Sequence, residues 1–267
     1  MNDFFEESRQ RTRAILGDEP LQSAARELMF KSIAAKYSYN FFWMGRPIIQ
    51  YPQDIVAFQE VVWQVQPDLI IETGIAHGGS LVLSASMLAL LDYCDAAQNG
   101  SMLDPRAPRR KVLGIDIDIR PHNRDAIEAH PLSNRIEMVQ GSSVASEIVA
   151  KVRATAAKYQ RVLICLDSNH THEHVLAELE AYAPLTSKGS YCIVYDTVVE
   201  DLPDSMYPDR PWGKGDNPKT AVHEYLRLIR DEGRSAADNA ALRFEIDRDI
   251  HGKLLLSVAP DGFLRRL

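Results

Sequence analysis

The sequence predicts an α/β fold, a Rossmann-like sheet of five parallel strands followed by a C-terminal antiparallel hairpin. Helices should flank the sheet on both faces and also form an N-terminal extension. From residue 69 onward, short apolar runs alternate with helical patterns, which is typical of parallel strands joined by crossover helices. Runs that are apolar throughout, such as residues 162–166, are typical of strands buried on both faces of such a sheet.

The helical and strand patterns follow one another in a simple order. Residues 1–39 have a helical pattern, residues 43–52 are rich in turn-forming and aromatic residues that could cover a site, and residues 53–64 restore the helical period. The five parallel strands are predicted at residues 69–73, 111–116, 135–140, 161–166 and 190–195.

Two features predict the C-terminal elements. Asn217 and Pro218 mark the start of a helix that runs to about Arg230, because Asn caps a helix and Pro fits its first position. Residues 242–247 and 253–258 are apolar-rich and flank a short polar turn, so they predict the hairpin.

The chain is expected to have two parts, an N-terminal helical arm and cap at residues 1–60 and the sheet domain at residues 61–267. Within the second part, residues 92–110 contain a glycine, two prolines and three arginines. This composition predicts a surface loop whose arginines are solvated.

Composition excludes several classes of protein. A chain of 267 residues with 45% hydrophobic content supports one principal core. A net charge of -7 argues against a general nucleic-acid binder. We recognise neither a secretion signal at the N-terminus nor a membrane-spanning apolar run. Three cysteines in this setting are expected to be reduced thiols, so we expect a cytoplasmic protein.

A glycine-rich turn after the first predicted strand is the strongest functional signal. Its glycines follow the spacing G-x-x-x-G-G, which favours an adenosyl cofactor over the dinucleotide pattern G-x-G-x-x-G. Glycines let backbone amides approach a ligand closely, whereas the alternative is a tight turn without a ligand. The residues expected to contact the cofactor here are Glu72, Gly74, His77, Gly78, Gly79 and Ser80.

Two later strand ends offer further cofactor contacts. Asp116 ends the second strand, where open α/β sheets often bind ribose hydroxyls; the alternative is a helix-capping or solvated carboxylate. Ser142 and Ser143 follow the third strand and could contact the adenine, although serine at a helix start is also an ordinary cap.

Acidic and imidazole side chains end the fourth and fifth strands. Asp167 and Asp196 would meet in one crevice and offer hard oxygen ligands for a divalent cation. His170 is suited to act as general base near neutral pH, beside Asp167 as a second catalytic residue. For His172 and His174 we favour a solvated helix start. The spacing also resembles a zinc-hydrolase motif, but it is one residue short.

The long connection at residues 197–219 is a candidate acceptor lid, because long loops in compact domains are often functional. Tyr207 and Trp212 could stack on the apolar face of a sugar, and Lys214 and Asp216 offer polar discrimination. The competing explanation is a disordered segment.

From about Trp43 through the helix after this connection, the chain resembles the cephalosporin hydroxylase-like family, which includes rhamnosyl O-methyltransferases. The resemblance rests on residues 71–80, 114–116, 166–170, 194–197 and 212–220. It implies a class I S-adenosylmethionine (SAM)-dependent methyltransferase fold, frequent use of Mg²⁺ at the acceptor site, and a homo-oligomer.

The resemblance also implies a metal site with one departure from the family pattern. The family places an acid after the fourth strand and an acidic pair after the fifth, which correspond here to Asp167 and to Tyr195 with Asp196. Tyr in place of an expected Glu removes a hard anionic ligand, so the affinity for Mg²⁺ should fall. The family's members differ in acceptor, so membership does not choose one.

The sequence therefore predicts a SAM-dependent O-methyltransferase that acts on a hydroxyl of a sugar or glycosylated metabolite with the help of a divalent cation. An NAD-dependent oxidoreductase on a related sheet and a non-catalytic oligomeric scaffold are the alternatives. The glycine spacing argues against the first of them.

Overall fold

The structure is a computed structural model, and it describes residues 2–267. In chain order its strands are β1 (Phe41–Trp43), β2 (Arg46–Ile48), β3 (Leu69–Thr73), β4 (Lys111–Asp116), β5 (Ile136–Gln140), β6 (Val162–Leu166), β7 (Tyr191–Val194), β8 (Phe244–Ile246) and β9 (Phe263–Arg266). Its α-helices are α1 (Asn2–Gly17), α2 (Glu19–Ala34), α3 (Pro52–Val65), α4 (Gly79–Asn99), α5 (Pro121–Glu128), α6 (Ser146–Ala156), α7 (His172–Tyr182), α8 (Pro218–Asp231) and α9 (Arg248–Lys253).

The central sheet has the spatial order β5-β4-β3-β6-β7-β9-β8. Its first five strands are parallel, and β9 is antiparallel to both β7 and β8. The five predicted parallel strands are confirmed within one or two residues at each end. Because the strand order reverses between β3 and β6, the carboxyl ends of these two neighbours border a crevice where such sheets bind ligands.

Apolar side chains cover both faces of the sheet. On one face, α6, α7 and α8 pack over residues such as Ile71 and Ile164. On the other, α3, α4 and the small β1–β2 hairpin pack over residues such as Ile70 and Leu163. The alternation of neighbouring residues between the two faces explains why every residue of β3 and β6 is buried.

The start of α8 follows the sequence prediction. Asn217 accepts hydrogen bonds from the amides of Lys219 and Thr220, and the Thr220 hydroxyl accepts one from the Asn217 amide. This reciprocal arrangement satisfies amides that a helix start otherwise leaves unpaired. It fixes the end of the preceding connection.

The predicted C-terminal hairpin is wrong in its second strand. Residues 244–246 form β8, but residues 253–258 do not form a strand, and the true partner is β9. Helix α9 lies between the two strands. The apolar side chains of Leu254 and Val258 instead pack against the layer that contains α3 and α4.

The predicted surface loop at residues 92–110 is also partly wrong. Helix α4 extends to Asn99, and Arg110 is buried rather than solvated. Asp92, itself buried, bonds to Arg110 and lies 2.6 Å from a guanidinium nitrogen of Arg135. These charges pair at the amino edge of the sheet, away from the crevice at its carboxyl edge.

Helix α4 is long and apolar enough to cross a membrane by length and composition alone. In this fold, however, 61% of its most apolar window is buried against the rest of the protein. Packing over the sheet therefore accounts for its composition.

At the N-terminus, Thr12 and Leu16 of α1 pack close to Gly252 of α9. The arm at residues 1–60 thus contacts the C-terminal part of the chain, and its division from residues 61–267 as a separate part stays a prediction.

Candidate active site

The glycine-rich turn leaves β3 in a conformation that needs glycine at two positions. Gly74 and Gly78 have φ angles of 89° and 81°, in the left-handed region. A side chain at Gly74 would overlap the carbonyl oxygen of Asp167, and one at Gly79 would overlap the carbonyl oxygen of Pro47. The turn therefore sits close to the end of β6 on one side and to β2 on the other.

Polar side chains from three elements hold this turn. Asp116 accepts hydrogen bonds from the amides of Ile75 and Ala76, at 2.8 and 3.2 Å. The carbonyl of Ala76 accepts a hydrogen bond of 2.9 Å from the Asn123 side chain. The carbonyl of His77 accepts two hydrogen bonds from the Arg46 guanidinium, of 2.9 and 2.6 Å. The turn is thus preorganised before any ligand binds.

The sequence-predicted cofactor residues separate into two groups. Gly74, His77, Gly79 and Ser80 line the main cavity of the site, whose volume is about 380 Å³. Those that do not line it are Glu72, Gly78, Asp116, Ser142 and Ser143. Asp116 orders the turn in this structure, so its ribose contact stays a prediction.

Of the two serines, Ser143 lies beside α7 instead. The Ser143 hydroxyl is 3.1 Å from Nε2 of His174, and the Ser143 backbone carbonyl accepts a hydrogen bond from the Tyr182 hydroxyl. His172 bonds to Thr220 through Nδ1, at 2.8 Å. The predicted helix start is confirmed, since α7 begins at His172, but both histidine side chains are partly buried and join neighbouring elements.

Behind the turn lies a second, smaller cavity of about 30 Å³, here called the inner cavity. Glu72 lines it and accepts a hydrogen bond from Ser84, while Asp54 lines it from α3. Burial raises the pKa of Glu72 to about 7 and that of Asp54 to about 7, since neither carboxylate has a cationic partner there. Tyr195 also lines this cavity, and burial holds its pKa well above the usual range. The Tyr195 phenol is thus neutral.

Asp167, His170 and Asp196 converge in the main cavity. One potential ligand atom from each lies within 4.8 Å of the others, and Nε2 of His170 is 3.2 Å from Oδ2 of Asp196. Removal of water by the surrounding protein, together with the Asp196 charge, raises the pKa of Asp167 above its usual range, although its side chain faces the cavity. The sequence prediction that these three groups meet is confirmed.

The three groups fit a divalent cation. Donor atoms around a six-coordinate Mg²⁺ with bonds near 2.1 Å are about 3 Å apart when adjacent and about 4 Å apart when opposite. The His170–Asp196 separation of 3.2 Å falls in this range, and the three potential ligand atoms all lie within 4.8 Å of one another. The carboxylates of Asp167 and Asp196 are the oxygen ligands that such a cation prefers, and His170 lies beside them with its imidazole available for proton transfer.

An aromatic and cationic wall closes the other side of the main cavity. The ring of Trp212 meets the His170 ring edge-on, with centroids 4.8 Å apart, and Arg210 lies 5.1 Å from the Trp212 ring centre. Tyr207 also lines the cavity, whereas Lys214 and Asp216 do not. Asp216 caps α7 by accepting from the His172 amide at 2.6 Å.

Sequence reasoning missed several lining residues. Gln50 and Tyr51 reach the cavity from the turn-rich segment before α3, Tyr39 from the segment after α2, and Val258 from the C-terminal region. The aromatic, turn-rich composition of residues 43–52 is a signal for Gln50 and Tyr51, whereas the sequence gives none for Tyr39 or Val258.

The family whose description is "Rhamnosyl O-methyltransferase/CmcI" matches residues 35–267. The chain belongs to this family. A rhamnosyl O-methyltransferase of Mycobacterium tuberculosis is 26% identical over 240 residues, which cover 86% of this chain and 82% of the relative. One from Mycobacterium leprae is 26% identical over 162 residues, 60% of this chain and 62% of the relative.

Among solved structures, a CmcI structure with Mg and SAM has a TM-score of 0.52 at 19% identity, and it covers 86% of this chain and 77% of that one. The family match and this likeness of fold confirm the predicted family and the class I methyltransferase fold. The enzyme class that the sequence predicts, a SAM-dependent O-methyltransferase, is confirmed with them.

Proposed function

We propose that this protein transfers a methyl group from SAM to a hydroxyl of a sugar or glycosylated metabolite, with a divalent cation at Asp167 and Asp196. The observation that carries the proposal is a single cavity that contains the glycine-rich turn, the three converging groups and the Trp212 wall. The rhamnosyl O-methyltransferase relatives support a sugar acceptor.

SAM, when bound, supplies a sulfonium methyl group that is transferred in line to an oxygen nucleophile. The Gly74–Ser80 side of the cavity would hold it, because the turn's backbone is accessible there and is already fixed by Asp116 and Arg46. The acceptor hydroxyl would approach from the side of Trp212, whose flat face suits the apolar face of a sugar.

A divalent cation, when bound, supplies positive charge that lowers the pKa of a neighbouring hydroxyl. Asp167 and Asp196 would hold it with hard oxygen ligands. His170 would take the proton of the acceptor hydroxyl as that oxygen receives the methyl group. Asp196, at 3.2 Å, stabilises the resulting imidazolium, and the edge-on contact with Trp212 fixes the ring.

Calorimetric titration with SAM, S-adenosylhomocysteine and NAD tests the cofactor, and methyl transfer to rhamnosides and other glycosides tests the acceptor class. We expect both adenosyl ligands to bind and NAD not to. Binding of NAD alone would favour the oxidoreductase, and adenosyl binding without transfer to any glycoside would contradict the sugar acceptor.

His170→Ala tests the proton acceptor. We expect kcat to fall by about a hundredfold or more while the affinity for S-adenosylhomocysteine stays unchanged. His223→Ala is the matched control, because His223 lies on α8 outside the cavity and is half exposed. Wild-type turnover in His170→Ala would show that another group takes the proton.

The predicted homo-oligomer and the predicted cytoplasmic location remain proposals. Cys94, Cys165 and Cys192 are free thiols, which fits a reducing compartment.

A further inference from the structure

Asp54 of α3 is a completely buried carboxyl that binds the C-terminal part of the chain. Its side chain has 0% exposure. Oδ1 accepts a hydrogen bond from the Ser257 hydroxyl at 2.6 Å, and Oδ2 accepts one from the Val258 amide at 2.9 Å. The Ser257 oxygen in turn accepts from the Ala259 amide at 2.9 Å. A single side chain thus fixes the path of residues 257–259.

This fixed segment contacts the residues that follow Asp196. The carbonyl oxygen of Val258 accepts a hydrogen bond from the Val198 amide at 3.2 Å. Two residues further along the segment, the carbonyl of Pro260 accepts from the Thr197 hydroxyl at 2.6 Å. Val198 and Val258 both line the main cavity, so the connection lies in the wall of the site.

Asp196 needs such support because its own backbone is strained. It has φ 55° and ψ 20°, a left-handed conformation that is unusual for a residue with a side chain. Residues held in this region persist when their surroundings determine them, and they often occur at functional sites. The bonds from Thr197 and Val198 to residues 258 and 260 supply this constraint on the carboxyl side of Asp196.

We infer that Asp54 is a positioning residue that holds the Asp196 carboxylate in place through Val258 and Val198. The inference rests on the proposed function for its effect on catalysis. Asp54 lines the inner cavity and not the main one, so it acts through the backbone of the two intervening segments. If the role of Asp54 were purely structural, it would stabilise the packing of residues 257–259 without affecting the Asp196 carboxylate.

The test compares Asp54→Ala, Asp54→Asn and Asp92→Asn in the full chain. Alanine removes both acceptors, whereas asparagine keeps an oxygen for the Val258 amide and can donate to Ser257. Asp92→Asn is the matched control, because Asp92 is also a buried, hydrogen-bonded carboxyl but lies at the opposite edge of the sheet.

The first readout is hydrogen–deuterium exchange of a peptide spanning residues 196–202, which needs no cofactor, cation or acceptor. We expect exchange there to be about tenfold faster in Asp54→Ala than in the wild type, with protection largely restored in Asp54→Asn. Asp92→Asn should leave this peptide unchanged. Unchanged exchange in a folded Asp54→Ala protein would overturn the inference, even if methyl transfer is observed.

The second readout is Mn²⁺ affinity, measured by electron paramagnetic resonance, together with kcat and KM for the acceptor. We expect Asp54→Ala to weaken Mn²⁺ binding and to lower kcat by about tenfold to a hundredfold, with S-adenosylhomocysteine affinity unchanged. If Asp54→Ala does not fold, Ser257→Ala, which removes one of the two bonds, should show the same changes to a smaller degree. Faster exchange with wild-type Mn²⁺ affinity and kcat would limit Asp54 to a structural role and refute the inference.

Discussion

The buried carboxyl of Glu72 makes the stability of this protein depend on pH. Burial raises its pKa in the folded state to about 7, whereas the unfolded chain exposes it to water with an ordinary pKa near 4.5. The folded state therefore binds this proton more tightly. Its contribution to the free energy of unfolding is fully present below about pH 4.5 and is lost as the pH rises through about 7.

Replacing Glu72 with Gln isolates this contribution. The amide stays neutral and can still accept the hydrogen bond from Ser84. We expect Glu72→Gln to be more stable than the wild type at about pH 8, by up to about 3 kcal/mol, and the two to converge near pH 4.5. Urea unfolding across this pH range measures the difference. A constant offset at every pH would show that Glu72 does not titrate in this way.

The family resemblance of the sequence implies a carboxylate at the position of Tyr195. In Tyr195→Glu, a fourth carboxyl would join Asp54, Glu72 and Asp167 around the inner cavity. We expect a lower Tm without a cation, because the added charge is buried among like charges. Mg²⁺ or Mn²⁺ should then raise the Tm of this variant more than that of the wild type. An equal shift of Tm in both proteins would show that the residue at position 195 does not contribute to cation binding. Tyr195→Phe is the control for loss of the hydroxyl alone.

The sequence correctly predicts which candidate catalytic residues lie together, but it predicts the hydrogen-bond partners around them less well. Asp167, His170 and Asp196 follow neighbouring parallel strands, so the topology brings them to one edge of the sheet. The role of Asp116 depends instead on how the turn folds back, because its partners are backbone amides that any residue type would offer. No residue pattern specifies such partners.

Gly79 joins the start of α4 to the β1–β2 hairpin. A side chain there would overlap Pro47 and Ile48, and the nearest atoms are backbone, which has little freedom to move. We expect Gly79→Ala to destabilise the protein by about 1–3 kcal/mol and to weaken S-adenosylhomocysteine binding, since the hairpin must move from the turn. Gly17→Ala is the control, because nothing lies near the added carbon. Chemical denaturation and calorimetry measure both effects, and equal stability of the two variants would contradict this account.

The incorrect strand at residues 253–258 has a physical explanation. An apolar run predicts that a segment is buried but leaves open what it packs against. Here Asp54 fixes the backbone at Val258, so the run forms part of the wall of the main cavity. The true strand, β9, includes Arg265 and Arg266, of which Arg266 is buried against Asp238. Because two of its residues are consecutive arginines, this strand does not show the apolar pattern by which strands are predicted.

The proposed active site and the buried ion pairs lie at opposite edges of the sheet. The crevice at the carboxyl edge contains the proposed site, and the ion pairs of Asp92, Arg110 and Arg135 lie at the amino edge. Breaking a buried pair by removing one partner typically costs about 3–5 kcal/mol. This separation makes Asp92 a suitable control, because a change there lowers stability without touching the cavity.

The layer formed by β1, α3 and α4 leaves large apolar side chains uncovered. All three elements pack over the same face of the sheet, and their outward side chains face solvent on that side. Those more than half exposed are Phe42, Val56, Trp63, Leu90 and Tyr93. Exposed apolar surface of this kind is typical of contacts between proteins. Together with the predicted homo-oligomer, it leads us to expect that copies of the chain associate through this layer.

Sedimentation and light scattering test this expectation. The wild type should have a mass of at least twice that of the 30.0 kDa chain. Trp63→Glu combined with Tyr93→Glu should give the monomer mass, because a charge at each position would have to be buried unpaired in the contact. Met102→Glu is the control, since Met102 is 99% exposed on the loop after α4. The Tm of the protomer should change little in the control. A wild-type mass of one chain at every concentration would show that the exposed layer does not mediate self-association.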